Sequence, residues 1–199
     1  AKNFAVFGRV IFDVSDTLSV SADGRWQNDK NSYVNRTNGI SAAVKTTGFV
    51  PRVTADWKFA DGKMLYALYS KGNRPASLNV DPGLPADLRP TKEEETTNYE
   101  VGFKGRFFDE RVQFTAAAFF IDWKNQLYRA ACGPGECGGN TAIITYNANV
   151  GKAEVRGFEL ELAAQVVPDL LTMRLGYAVN DTKVKEFRTA TASEATEGL

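Results

Sequence analysis

Thr97-Asn98-Tyr99-Glu100-Val101-Gly102-Phe103-Lys104-Gly105-Arg106-Phe107, the link Asp109-Glu110 and the return from Arg111 to Trp123 decide the fold. Tyr99, Val101, Phe103 and Phe107 share one parity, and Asn98, Glu100, Lys104 and Arg106 share the other. A period of two predicts a strand with one apolar and one polar face. On the return, Val112, Phe114, Ala116, Ala118 and Phe120 again share a parity. Soluble strands run to roughly 5–6 residues, whereas a tilted strand needs about 9–11 to cross a bilayer. Both strands of this hairpin reach that length.

Working outward, the same alternation recurs along the chain. Phe4 to Asp13, Thr17 to Gln27, Phe49 to Phe59 and Met64 to Lys71 read as strands before the hairpin, and Asn149 to Val166 and Leu171 to Phe187 after it. Ala60-Asp61-Gly62-Lys63 supplies a hairpin turn with glycine for positive φ. Between strands the links run short, long, short, long, short, long, short. The long ones are about Asn28 to Gly48 (with strand extension at Gly39 to Val44 as an option), Gly72 to Thr96 with four prolines, and Asn125 to Ala148. In a meander this gathers the tight turns at one end and the long loops at the other, as in an outer-membrane barrel. The fold expected is all-β, an antiparallel up-and-down meander of about eight long strands forming part of a transmembrane β-barrel.

Cost decides the faces. A Lys or Arg at the bilayer midplane costs ~2–4 kcal/mol, so the parity of Lys58, Lys104, Arg106 and Arg174 is expected to face the lumen. Trp57, Phe59 and Phe107 fall near the short-turn end, and Trp26, Tyr69 and Tyr99 towards the long loops, where two interfacial aromatic belts are expected. From Ala116 to Ile121 both parities are apolar, and the faces there stay open.

Composition narrows the function. The 199 residues are 43% hydrophobic, with 24 Lys+Arg against 24 Asp+Glu. That balance argues against a nucleic-acid partner, which needs a basic excess. No window of 18 apolar residues predicts a transmembrane helix. Ala1-Lys2-Asn3-Phe4 shows no leader, so a removed signal or a longer parent is expected. There is no histidine, which removes the usual catalytic triads and metal sets; no catalytic residue, cofactor site or metal ligand is assigned, and an enzyme is not expected. Glu93-Glu94-Glu95 reads as a solvated loop edge. Cys132-Gly133-Pro134-Gly135-Glu136-Cys137 places two cysteines around a turn, and a Cys132–Cys137 disulfide in an external loop is expected over zinc.

Specific phrases carry a resemblance. Tyr69-Ser70-Lys71-Gly72-Asn73-Arg74-Pro75-Ala76-Ser77-Leu78-Asn79, Leu88-Arg89-Pro90 leading to Thr97 through Lys104, Ala117 through Trp123, and Asn149 through Glu161 resemble, in order, strands of TonB-dependent outer-membrane receptors. The resemblance implies that residues 1–199 are a partial β-barrel region without the N-terminal plug and TonB-contacting segment. It further implies residence in the outer membrane of a Gram-negative bacterium and TonB-energised uptake of a scarce ligand of the siderophore-iron, cobalamin or glycan class. The partners implied are outer-membrane lipid, TonB through the missing N-terminal region, and a small molecule at the external loops. Ligand-binding residues are unassigned, although Arg74 and Tyr128 are conceivable contacts besides serving as loop anchors. The alternative is a small eight-stranded barrel with a structural, adhesive or passive-pore role.

Overall fold

A computed structural model describes residues 1–36, 41–139 and 141–187. Eight strands form one antiparallel sheet in chain order: β1 (Lys2–Asp13), β2 (Leu18–Val34), β3 (Ser41–Ala60), β4 (Lys63–Arg74), β5 (Glu94–Phe107), β6 (Val112–Cys132), β7 (Ile144–Val167) and β8 (Leu171–Phe187). Helix among the described residues is confined to a 3₁₀ turn at Ala86–Leu88. Strands β1 and β8 are the two edges and do not pair, so the sheet is open. A complete eight-stranded barrel would need that pairing.

The tight turns collect at one end, as expected. At 61–62 the ladder closes between Ala60 and Lys63, with Gly62 at φ 63°. At 108–111, Phe108, Asp109 and Glu110 all adopt left-handed φ, and the Arg111 N–H donates to the Phe108 carbonyl at 3.1 Å. Asp169 does the same in the turn after Val167.

The long links differ from the expectation. Residues 28–34 and 41–48 extend β2 and β3, 125–132 and 144–148 extend β6 and β7, and 72–74 and 94–96 extend β4 and β5. The expected extension at Gly39 to Val44 falls partly outside the described residues; from Ser41 it is strand. Among the described residues, 75–93 is a long irregular link. The physical reason is solvent. Beyond the bilayer both faces of a ribbon are wet, so polarity no longer alternates even though the backbone ladder continues.

Register fixes the faces across the sheet. One row runs Trp57, Leu65, Phe103, Ala116, Leu160, Tyr177, and its neighbour on the opposite face runs Asp56, Tyr66, Gly102, Ala117, Glu159, Ala178. This settles β6: Ala116, Ala118 and Phe120 join the lipid-facing rows, and Ala117, Phe119 and Ile121 face inward. Two aromatic groups stand on the lipid side. Trp57, Phe59, Phe103, Phe107 and Phe114 make ring contacts near the turns, while Tyr69, Tyr99 and Phe120 do so further out.

On the inner face, two rings occupy the space over glycines. A Cβ at Gly102 would clash with the Tyr66 ring, and one at Gly157 would clash with the Phe119 ring. The Tyr66 hydroxyl donates to Glu100 Oε1 at 2.7 Å, and Lys104 Nζ lies 5.1 Å from the ring centre. The ring therefore has no easy retreat. Gly102→Ala is expected to destabilise the full-length receptor by about 1–3 kcal/mol through overpacking. In a Tyr66→Ala background the same change should cost almost nothing. Thermal loss of the folded band on unheated gels measures both, and an equal cost in the two backgrounds would remove the steric account.

Candidate functional site at the outer rim

Beyond the outer aromatic group the molecule builds a small structured rim. Link 75–93 leaves β4, crosses the ribbon formed by β6 and β7, and returns to β5. Leu84 is its anchor, only 1% exposed, in a core with Cys132, Cys137, Ile144 and Tyr146 and with Leu88, Ala130 and Ala148 at its edge. Full burial of a leucine contributes roughly 1.5–3 kcal/mol, enough to hold a link that lacks a ladder over most of its length. Burial, with Glu136 nearby, raises the Tyr146 hydroxyl above its ordinary pKa.

Hydrogen bonds to the ribbon fix the rest of the link. Asn79 Nδ2 donates to the carbonyls of Leu88 (3.0 Å) and Asn147 (2.9 Å), and Asn79 Oδ1 accepts from the Asn147 N–H at 2.8 Å. Asn149 works in the same way, accepting from the Lys92 N–H at 2.6 Å and donating to the carbonyls of Lys92 and Asn125. Within the link, Leu78 bridges Pro90 and Ser77 bonds Thr91. The Ala76 N–H reaches Thr46 on β3 at 3.0 Å. Each amide side chain substitutes for a missing ladder partner.

Glu94 is 4% exposed. Its carboxylate accepts from Arg74 at 2.9 Å and from the Leu127 N–H at 2.8 Å, so β4, β5 and β6 meet at one buried charge. Breaking a buried pair is costly because the remaining charge stays desolvated. Neighbouring Glu93 accepts a long 3.5 Å contact from Asn73, and Glu95 sits opposite Lys124. The three carboxylates diverge and do not converge on one point.

Arg74, a conceivable ligand contact, is thus tied to Glu94. Tyr128 donates to Gln126 Oε1 at 2.8 Å, and its ring lies against Gly151. Both residues hold the rim together. Cys132 and Cys137 are joined in the structure, with Cα atoms 5.8 Å apart, at the tip of the β6–β7 ribbon. The Gly133 N–H bonds Glu136 inside the ring at 2.7 Å. The anchors Asn79, Leu84, Glu94 and Asn149 carry no local sequence signal, because each finds its partners far along the chain. No group of His, Cys, Asp or Glu suited to a metal occurs among the described residues.

A membrane-length two-faced sheet, tight turns at one end and a packed rim at the other define the wall of an outer-membrane β-barrel. The family model "TonB dependent receptor-like, beta-barrel" matches residues 1–197. The chain belongs to the TonB-dependent receptor β-barrel family, whose members are outer-membrane receptors and transporters of Gram-negative bacteria and not enzymes. It is 25% identical over 175 residues to the pesticin receptor of Yersinia enterocolitica, covering 84% of this chain and 24% of that protein. To the ferripyoverdine receptor of Pseudomonas aeruginosa it is 28% identical over 158 residues, covering 79% and 18%. The chain thus spans a quarter or less of these relatives. The solved ferric yersiniabactin uptake receptor of Yersinia pestis superposes with a TM-score of 0.71 at 20% identity, over 93% of this chain and 28% of that one. The siderophore receptor PiuA of Acinetobacter baumannii gives 0.70 at 19% identity, over 93% and 26%.

Asn79→Ala leaves the Asn147 N–H and two carbonyls without their partners, a cost of about 1–3 kcal/mol. The expected result is faster protease cleavage within 75–93 while the folded barrel band persists. Unchanged cleavage would mean that Leu84 and the remaining hydrogen bonds hold the link without Asn79.

Proposed function

We propose that this chain is the wall and rim of a receptor that imports a ferric siderophore across the outer membrane, energised by TonB acting on a part of the parent protein outside this chain. The observation that carries the reading is the fixed rim. Link 75–93 and the disulfide-closed turn at 132–137 are folded against each other through Leu84, which presents an outward surface already ordered before a ligand arrives. Preorganisation of this kind lowers the ordering cost of binding. The relatives support the ligand class over cobalamin or glycan, since their names specify ferripyoverdine, ferric yersiniabactin and siderophores. In this reading 1–199 is a partial barrel, and its inward polar face lines the space occupied by the rest of the parent chain. The small molecule meets the outward residues of the two links, and outer-membrane lipid meets the apolar face.

The Cys132–Cys137 bridge belongs to the same proposal. The tip faces the oxidising exterior, and closing so small a ring contributes only about 2 kcal/mol. It shapes the tip and supports Leu84, while the ladder holds the barrel. In protein digested without reductant, the peptide containing both cysteines should have the mass of the disulfide form. The mass of two free thiols would refute the bridge.

Growth on single ferric siderophores as the iron source, in cells carrying the full-length receptor with and without TonB, tests the transport reading. Growth on at least one siderophore that disappears with TonB is expected. Growth indifferent to TonB would make the protein a passive pore.

A further inference from the structure

The inner face of β2 and β3 carries two arginines that no carboxylate of this chain neutralises. Register puts Arg9, Asp23, Arg52 and Ser70 in one row, on the face that Asp56 and Tyr66 share. Arg25 follows Asp23 two residues further out on β2, opposite Phe7. The adjacent row on the lipid side is Val53, Tyr69, Tyr99 and Phe120, which holds the outer aromatic group. The two arginines therefore stand at the outer limit of the spanning rows, just inside the mouth of the barrel and below link 75–93.

The nearby acids are occupied elsewhere. Arg9 holds Asp23 at 2.8 Å, and Asp29, further out, accepts from Asn3. Among the described residues, no carboxylate lies within ion-pair distance of Arg25 or Arg52, and both residues are exposed. Arg25 is nonetheless held in place. Its Nε–H donates to Gln27 Oε1 at 2.9 Å; Gln27 is 7% exposed, and its Nε2 donates to Asn73 Oδ1 at 3.0 Å. A buried amide thus orients the guanidinium through one N–H and leaves the terminal nitrogens free, a planar fork suited to oxyanions. The amide chain ends at Glu93, where link 75–93 returns to β5.

Beside Arg25, on the same face, the Phe7 ring is 78% exposed. An exposed aromatic ring next to two guanidinium groups without an anion suits a ligand that is both aromatic and anionic. Iron chelates divide on that property. Hydroxamate donors cancel the ferric charge and leave a neutral complex, whereas catecholate donors are aromatic and leave it negatively charged. We propose that Arg25, Arg52 and Phe7 form a subsite at the barrel mouth that selects an anionic ferric chelate of the catecholate class. The inference rests on the transport reading above and narrows its ligand.

The test uses the full-length receptor in detergent, with quenching of tryptophan fluorescence as the measure of binding. The probes are the ferric complexes of a synthetic tripodal tris-catechol and of the matching tris-hydroxamate. The wild type should bind the catecholate complex about tenfold more tightly. Arg25→Gln and Arg52→Gln should each weaken that binding about tenfold, the scale of a charge-assisted hydrogen bond, and leave the hydroxamate complex unaffected. Phe7→Ala should weaken the catecholate complex about threefold through the lost ring contact. Added salt should weaken the catecholate complex alone, a measurement on the wild type that decides the matter where a variant gives no folded band. Equal affinity for the two complexes, a preference indifferent to salt, or an unchanged preference in the arginine variants overturns the subsite. Arginine variants that lose folded band on heating while their preference is unchanged would reassign the arginines to an acidic segment of the parent chain, and would overturn it as well. Growth with TonB on the hydroxamate complex alone overturns the subsite and leaves the transport reading standing. Growth indifferent to TonB, with the catecholate preference and its loss in the variants intact, counts against the transport reading alone.

Discussion

A backbone crossing hydrocarbon finds no water, so every N–H and C=O of the spanning strands must be bonded by a neighbouring strand. That requirement organises the chain. It forces continuous antiparallel ladders from β1 to β8, and a continuous ladder ties the parity of each strand to that of the next. Faces therefore cannot be chosen strand by strand. Once Lys104 faces inward, register places Tyr66, Glu159 and Ala117 on that face, and Leu65, Phe103 and Leu160 on the other. A slip of one residue would turn Lys104 and Glu161 towards lipid. The rings of Tyr66 and Phe119, seated on Gly102 and Gly157, oppose such a slip sterically where backbone hydrogen bonds alone would tolerate it.

The ladder does not stop at the headgroups. Above them the energetic terms change, because water can satisfy a frayed ribbon and the apolar face has nothing to gain. What holds the rim is local: a buried leucine against a joined cysteine pair, two asparagines that complete the ladder sideways, and one buried carboxylate at the base. Glu94 matters disproportionately because it connects Arg74 at the end of β4 to the Leu127 backbone in β6. Through it the irregular link and the long ribbon become one hydrogen-bonded body.

The spanning part was legible in the sequence because lipid imposes a polarity contrast that shows as period two. Thr97 to Phe107 displays it almost without exception, and the ends of the short turns followed within a residue or so. The strand extensions were illegible for the converse reason. Residues such as Asn125 to Ala131 form a ladder without sorting their side chains by polarity, and a stretch with two wet faces reads as a loop. Long-range partners were illegible altogether. Nothing around Asn79 announces that its amide pairs with Asn147, 68 residues away, and nothing in Glu93-Glu94-Glu95 distinguishes the buried middle carboxylate from its half-buried neighbours. Arg74 and Tyr128 stood out by type and position, yet their polar atoms are engaged with Glu94 and Gln126.

This division bears on how such a wall can vary. Substitutions in the spanning rows are constrained by lipid on one side and register on the other, so they say little about what is transported. The rim is constrained only at its anchors. Exposed positions such as Val80 in the link and Ile143 beside the tip can change chemistry without removing Leu84, Asn79 or Glu94. Under the proposed transport role, ligand selectivity can therefore shift while the fold stays fixed, provided the anchors remain.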